Sequence, residues 1–195
     1  MKTMVESNIE FSFDDADEVI KFDDSSFYRH AFNHLPESKG VDFLLVDHHA
    51  QKLFMIEVKN CKGEEHENRW RISPNDRKLD TTGTMTNTRH RHSLDIEVAS
   101  KVAMTLSCLV GTHTCSMQQR AKELLPYWKY LAKDDPSIYV LLLLEGDFQT
   151  VAIPKKKIMN DLALYIERKL TWLKCKVFVE DTQTHRQRIF SARAL

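Results

Sequence analysis

The sequence predicts an α/β protein in which helices cover both faces of a mixed central sheet. Two apolar runs at residues 41–46 and 53–58 are rich in valine, isoleucine, leucine and phenylalanine, and six residues join them, so they favour an antiparallel hairpin. Further along the chain, segments with helical spacing alternate with further apolar runs. This alternation is typical of parallel strands connected by helices. We therefore expect antiparallel and parallel strands in one sheet.

The segment before the hairpin is predicted to contain one helix and two short strands. The helix covers residues 25–35, because a serine can cap its start, apolar residues recur at i, i+4 spacing, and Pro36 ends it. The strands are expected at residues 8–13, where alternation is weak, and at residues 19–22.

The segment after the hairpin begins with a long polar stretch, residues 60–92, in which a short strand is expected at 69–72. Structureless loops of this length are uncommon in compact domains and are often functional. The remaining predicted elements are helices at 93–111, 118–133 (bent near Pro126) and 155–174, and strands at 138–144 and 175–180.

Composition is typical of one domain spanning residues 1–195, since 42% of the 195 residues are hydrophobic. Lys+Arg and Asp+Glu are both 28, so the chain lacks the basic excess of most nucleic-acid-binding proteins, although a local basic patch can still face phosphates. No apolar run has the length of a signal peptide or a membrane span, so we expect a soluble cytoplasmic protein without a membrane partner. The four cysteines lack paired metal-ligand spacing and are expected to be free thiols.

Charged residues occur in both hairpin strands, where burial should disfavour them. Asp42 lies at the start of the first strand, and Glu57 and Lys59 lie at the end of the second. Residues two apart in a strand face the same side, and antiparallel pairing places the start of one strand beside the end of the next. The three side chains should therefore meet at one sheet edge.

Two carboxylates at close range repel each other, and a bound cation relieves the repulsion. Mg²⁺ suits this arrangement, because it uses one or two carboxylates and keeps waters and substrate phosphates as its other ligands. The lysine can then hold an attacking water or stabilise negative charge on the phosphate. The alternative is an ordinary salt bridge at a strand end in an unrelated α/β protein. The sequence has four acid-x-Lys triplets, but only Glu57–Lys59 closes an apolar strand that has an acid about fifteen residues upstream.

The same stretch, GVDFLLVD followed by KLFMIEVKN within residues 40–60, resembles the core of the PD-(D/E)XK nuclease superfamily, which includes restriction endonucleases and Holliday-junction resolvases. The resemblance is specific over residues 40–60 and looser over 25–180. It implies a restriction endonuclease-like αβββαβ core with a mixed central sheet. It also implies cleavage of phosphodiester bonds with Mg²⁺ or Mn²⁺.

The resemblance assigns roles to residues by their position in the motif. Asp42 and Glu57 match its two metal-binding acids, and Lys59 matches its catalytic lysine. The main-chain carbonyl of Val58 would be a further metal ligand. Val41 stands where the name-giving proline would be.

Many members of the superfamily also place an acid upstream of the motif, on the first helix or strand. The candidates here are Asp24, which we prefer, and Glu18, Asp23 and Glu37. The predicted helix at 25–35 contains no acid, so the upstream ligand and the number of metal ions stay open.

The loop at 60–92 directly follows the Glu57/Lys59 pair and is the expected contact for nucleic acid. Arginine pairs with phosphate, and interleaved aromatic residues stack on bases. The same loop contains glutamates, so a solvated loop is the alternative. Glu97 and Lys101 on the next helix are expected to point back to the site, as the resemblance implies. The candidate phosphate-binding residues of the loop are Arg69, Arg71, Arg89 and Arg91.

Two functions are compatible with these patterns. The first is a metal-dependent nuclease that acts on nucleic acid, with DNA as the expected substrate. The second is a catalytically inactive subunit of the same fold that binds nucleic acid or assembles with a partner. No sequence-reading module is visible, so specificity would come from nucleic-acid structure, from a homodimer or from a partner protein.

Overall fold

A computed structural model describes residues 1–73, 92–185 and 189–195. Short 3₁₀ helices cover Phe22–Asp24, Phe32–His34, Arg69–Ile72 and Gln119–Ala121. The strands are β1 (Lys2–Glu6), β2 (Ile9–Phe13), β3 (Glu18–Lys21), β4 (Phe43–Asp47), β5 (Lys52–Asn60), β6 (Ile138–Glu145), β7 (Cys175–Glu180) and β8 (Phe190–Ala194). The helices are α1 (Ser26–His30), α2 (Glu65–Asn68), α3 (Leu94–Thr114), α4 (Leu125–Leu131) and α5 (Lys155–Lys169).

The larger sheet has five strands in the order β3-β4-β5-β6-β7. The first three strands are antiparallel neighbours, and β5, β6 and β7 run parallel. The predicted hairpin and the mixed sheet are therefore confirmed. In the hairpin register Phe43 pairs with Ile56, so the preceding residue, Asp42, lies beside Glu57.

The two faces of this sheet are covered differently. Apolar side chains of α3, α4 and α5 pack on one face, against buried residues such as Met55 and Leu142. The other face packs against a second sheet of three antiparallel strands in the order β1-β2-β8. The prediction of helices on both faces is therefore wrong. Alternation in β2 turns Ile9, Phe11 and Phe13 inward, and these fully buried residues fill the face that a helix was expected to cover.

Several predicted elements differ from the structure in extent or type. Residues 25–35 form α1 and a separate 3₁₀ helix rather than one helix, and Leu35 is exposed, so its apolar stripe does not continue. Residues 69–72 form a 3₁₀ helix and not a strand. The segment 118–133 is divided, because Pro126 lies in the first turn of α4, where its missing N–H costs no helical hydrogen bond. The helix predicted to reach residue 174 ends at Lys169. No helix in the described ranges is both long and apolar enough to cross a membrane.

Close packing around Gly40 fixes the backbone that leads into β4. The Val41 N–H donates to the Thr105 hydroxyl of α3 at 3.0 Å, and the Phe22 N–H donates to the Asp42 carbonyl at 2.8 Å. A methyl group on Gly40 would lie 2.1 Å from Cε1 of Phe22 and 3.2 Å from the Thr105 hydroxyl oxygen. Only glycine therefore fits at this position without displacing a neighbour.

Gly40→Ala is expected to lower the free energy of unfolding by about 1–3 kcal/mol, because the fully buried Phe22 ring must move to admit the methyl group. Gly111→Ala is the matched control. Its methyl group would lie 3.5 Å from the Phe27 ring, and alanine is favoured over glycine inside a helix by about 1 kcal/mol. Urea unfolding measures both variants. A Gly40→Ala protein as stable as the wild type would contradict the described packing of Phe22.

Candidate active site

Asp42 is held at the start of β4 by its neighbours on both sides. Its Oδ2 accepts a hydrogen bond of 2.7 Å from the Val58 N–H, and its main-chain carbonyl accepts from the Phe22 N–H. In an antiparallel pair the N–H and C=O of one residue point to the same neighbouring strand. The Val58 carbonyl is therefore expected on the side of β5 that faces the chain leading into β4.

Glu57 is fully buried and accepts contacts from two lysines. Its Oε1 lies 2.9 Å from Nζ of Lys59, two residues along β5, and 2.6 Å from Nζ of Lys101 on α3. Lys101 Nζ also lies 3.6 Å from Oδ1 of Asp42. One ammonium group thus joins the two carboxylates, and the two oxygens that it contacts are no more than about 6 Å apart.

Glu97 of α3 extends this network toward solvent. Its Oε1 lies 2.9 Å from Nζ of Lys59, and its Oε2 lies 2.6 Å from Nη2 of Arg71. Three carboxylates and three cations therefore alternate from the buried interior to the surface. We call these six residues the acid–base cluster: Asp42, Lys101, Glu57, Lys59, Glu97 and Arg71.

The two ends of the acid–base cluster differ in their electrostatics. Burial, and then the charge of Glu57, raise the pKa of Asp42 to about 7, against the attraction of Lys101. At the outer end burial acts against ionisation of Glu97, but Lys59 and Arg71 lower its pKa to about 2. Burial also disfavours the charged form of Lys59, yet Glu57 and Glu97 raise the pKa of Lys59 above its usual value. Lys59 is therefore a permanent cation at neutral pH.

The oxygen atoms at the inner end fit Mg²⁺ better than a metal that needs a full set of protein ligands. Among the described residues, no group of three or more His, Cys, Asp and Glu side chains is arranged to hold a metal ion. Mg²⁺ requires fewer protein ligands, since it keeps several waters and uses one or two carboxylates. Asp42 and Glu57 supply these, and the Val58 carbonyl adds a third oxygen. Oε2 of Glu57 is buried and has no hydrogen-bond partner in the part of the chain that the structure describes, so it is available to a cation.

The preferred upstream acid, Asp24, has a different partner. Its carboxylate pairs with Arg29, and both side chains are about half exposed. Glu18 lies on β3 beside the far end of β4 from Asp42, and Glu37 is exposed in the loop before β4. A metal-ligand role for Asp24 stays a prediction.

Glu6 is the acid that the sequence analysis missed. Its charge acts on both Asp42 and Lys101, and it forms an ion pair of 2.8 Å with Lys21 on β3. Glu6 ends β1, a strand that was not predicted. Asp23, another upstream candidate, also lies near Glu6, and its Oδ1 is buried without a hydrogen-bond partner.

The predicted phosphate-binding arginines have different outcomes. Arg71 is a member of the acid–base cluster through its pair with Glu97. Arg69 is exposed at the start of the same 3₁₀ helix. Arg89 and Arg91 lie outside the described residues, so their role stays a prediction.

Glu97 and Lys101 do point back to the site, as the resemblance implied. A sequence signal supports this placement, since Glu97, Lys101 and Thr105 recur every four residues and so share one face of α3. Polar side chains on the packed face of a helix require partners, and the carboxylates on β4 and β5 provide them.

A family model described as a family of unknown function (DUF6661) matches residues 25–194. The chain belongs to this family. Neither the comparison with curated proteins nor the comparison with solved structures returned a match. The matched residues include all six members of the acid–base cluster, whereas Glu6 lies before them.

Asp42→Asn is expected to raise the free energy of unfolding at pH 8. This gain over the wild type should become smaller as the pH is lowered to 4. A carboxyl group whose pKa is higher in the folded than in the unfolded chain favours folding while it is protonated, and this contribution is lost as the pH rises from about 4 to about 7. Asparagine has no proton to lose. The gain at pH 8 should be about 2 kcal/mol or more, since each pKa unit corresponds to about 1.4 kcal/mol.

Denaturant unfolding at both pH values measures this difference. Asp24→Asn is the control, because its exposed pair with Arg29 should contribute no more than about 1 kcal/mol at either pH. A constant difference between Asp42→Asn and the wild type from pH 4 to pH 8 would contradict the raised pKa of Asp42.

Proposed function

We propose that this protein is a metal-dependent nuclease that hydrolyses phosphodiester bonds of nucleic acid, with DNA as the expected substrate. The observation that carries the proposal is the meeting of Asp42, Glu57 and Lys59 at one end of the β4–β5 hairpin, with Oε2 of Glu57 buried and unpartnered among the described residues. A buried polar atom without a partner costs about 1–3 kcal/mol, and more when it is charged. A bound cation removes this cost.

The strand order supports a restriction endonuclease-like core. Three antiparallel strands, β3, β4 and β5, are followed by α3 and then by β6, which runs parallel to β5. This matches the βββαβ part of the core that the PD-(D/E)XK resemblance implies, whereas α1 lies between β3 and β4 and not before the three strands. All four cysteines are free thiols, which favours the reducing interior of a cell as the location of the protein.

The residues at the inner end would hold Mg²⁺ or Mn²⁺. Carboxylates of Asp42 and Glu57 and the carbonyl of Val58 are its protein ligands in this proposal. When bound, such a metal polarises the phosphate and lowers the pKa of a coordinated water. All three oxygens lie at one end of the β4–β5 pair, whose hydrogen bonds fix the positions of the two strands.

Lys59 acts as a cation and hydrogen-bond donor in this proposal. Its raised pKa makes it unsuited to remove a proton at neutral pH, so it orients the attacking water through N–H donation and stabilises charge on the phosphate. Glu57 and Glu97 hold its ammonium group from two sides, at 2.9 Å each. In this proposal Arg71, which pairs with Glu97, contacts a neighbouring phosphate.

The second candidate function is a nucleic-acid-binding or assembly subunit without catalysis. The balanced charge of the acid–base cluster favours it, since three cations already accompany three carboxylates without a metal. The unpartnered oxygen of Glu57 favours the nuclease, because a purely structural network would pair that atom.

Nuclease activity on plasmid, linear duplex, single-stranded and branched DNA, and on RNA, tests the proposal. We expect cleavage with Mg²⁺ or Mn²⁺, none with EDTA, and a loss of at least about 100-fold in Lys59→Ala, a size typical of losing one stabilising cation. Lys174→Ala, purified identically, is the control. Lys174 is exposed just before β7, level with the start of β5, whereas Glu57 and Lys59 lie toward the other end of that strand. The Lys174→Ala protein should therefore cut like the wild type.

Each failure has a distinct meaning. No cutting by the wild type, together with no metal binding by calorimetry, would favour the binding subunit. Cutting that persists in Lys59→Ala would assign the activity to another site or to a contaminant.

A further inference from the structure

The ammonium group of Lys101 lies between the two carboxylates that would share a metal ion. It contacts Oε1 of Glu57 at 2.6 Å and Oδ1 of Asp42 at 3.6 Å, and its side chain is 11% exposed. A metal ion with bonds of ~2.1 Å to both carboxylates must also lie between them. A metal bonded to Oδ1 of Asp42 and to the Glu57 carboxylate would bring its positive charge against the Lys101 ammonium, so the two compete for this space.

We infer that Lys101 is an internal counter-ion that the metal displaces, so that Lys101 sets the metal affinity of the site. This inference rests on the proposed nuclease function and concerns the regulation of the same site. It does not follow from the PD-(D/E)XK pattern, which assigns its lysine to the strand position of Lys59.

The contacts of the two lysines distinguish their roles. Lys59 is bound from two sides by Glu57 and Glu97 and does not contact Asp42, so it can keep its place when a metal binds. Lys101 has the two metal-binding carboxylates as its only ion-pair partners within the described part of the chain. A metal that takes both carboxylates removes every ion pair of Lys101 in that region.

The backbone of Lys101 is fixed, so the exchange involves side-chain rotation alone. The Lys101 carbonyl accepts a hydrogen bond from the Thr105 hydroxyl at 2.8 Å, and that hydroxyl accepts from the Val41 N–H. α3 is thereby tied to the start of β4. The flexible four-carbon side chain of lysine can leave the carboxylates without movement of the helix.

Charge balance links this exchange to the substrate. The acid–base cluster is neutral when all six groups are ionised, so a divalent ion leaves it with an excess of two positive charges. This excess offsets the negative charge of the phosphodiester in its transition state. Metal binding without nucleic acid is therefore disfavoured by Lys101, and nucleic acid removes that penalty.

Mn²⁺ binding in the absence of nucleic acid, measured from the electron paramagnetic resonance signal of free Mn²⁺, tests the inference. Lys101→Met, which keeps the length of the side chain and removes its charge, should bind Mn²⁺ at least tenfold more tightly than the wild type. Lys21→Met is the matched control. It removes a cation beside the start of β4, where Lys21 pairs with Phe43 and binds Glu6, without opening the space between the two carboxylates. The Mn²⁺ affinity of Lys21→Met should differ from that of the wild type by less than threefold.

Acylation of Lys101 in the wild-type protein gives a second measurement that needs no variant. Mass spectrometry should show several-fold faster labelling by an N-hydroxysuccinimide ester when Mg²⁺ or Mn²⁺ is added, because the metal releases the amine from its buried pairs. Labelling of the exposed Lys174 should not change.

Three results would overturn the inference. Equal Mn²⁺ affinity in Lys101→Met and the wild type, with unchanged labelling, means that the lysine does not compete. Equal tightening in Lys21→Met and Lys101→Met means a general effect of charge. If neither the wild type nor Lys101→Met binds Mn²⁺, the metal site does not exist, and the proposed nuclease function is wrong as well. The first two results leave the nuclease proposal intact.

Discussion

The buried charge of Glu57 is the constraint on which the rest of the site depends. This carboxylate lies on β5, between β4 and β6 in the sheet, and is 0% exposed. Taking an ion out of water costs several kcal/mol unless a close counter-ion and hydrogen bonds offset it. Lys59 offsets it from the same strand and Lys101 from α3. The distance between α3 and the sheet, and the position of α3 along β4 and β5, are therefore constrained. The hydrogen bond from the Val41 N–H to the Thr105 hydroxyl maintains both.

The sequence was most informative where structure follows from local rules. Alternation along a strand and antiparallel pairing were enough to bring Asp42 beside Glu57 and Lys59, because a hairpin of short loop length leaves little freedom in register. The four-residue spacing of Glu97 and Lys101 carries the same kind of local information. Pairing between the two ends of the chain has no such signal. β1 is largely exposed and polar, and β8 reads FSARA, in which alternation covers five residues with only one large apolar side chain, so neither segment gives a strong strand signal. The second sheet and Glu6 were missed for this reason.

The position of the second sheet also explains an error in the predicted layers. Crossover connections place α3 and α5 on one face of the parallel strands, and the expectation of helices on the other face came from the alternation of strands with helices along the chain. Here the other face is closed by Phe11 and Phe13 of β2, which pack on Phe43 with ring centroids 5.2 and 5.7 Å away, and by Phe190 of β8, which packs on Phe11. Aromatic side chains of this size fill the space that a helix would occupy.

Balance of charge alone would make the acid–base cluster a good structural network, and two features argue against that interpretation. A network selected for stability pairs every buried polar atom, whereas Oε2 of Glu57 has no partner within residues 1–73, 92–185 and 189–195. Such a network also avoids carboxyl groups whose ionised form is disfavoured in the folded protein. Here burial and the charge of Glu57 raise the pKa of Asp42 to about 7. Both unfavourable features lie at the inner end, and the well-paired residues Glu97 and Arg71 lie at the outer end. Unfavourable interactions at one end of an otherwise fully paired network, which lower the stability of the fold, are typical of a site that binds an additional ion. A divalent cation at the inner end relieves both features at once.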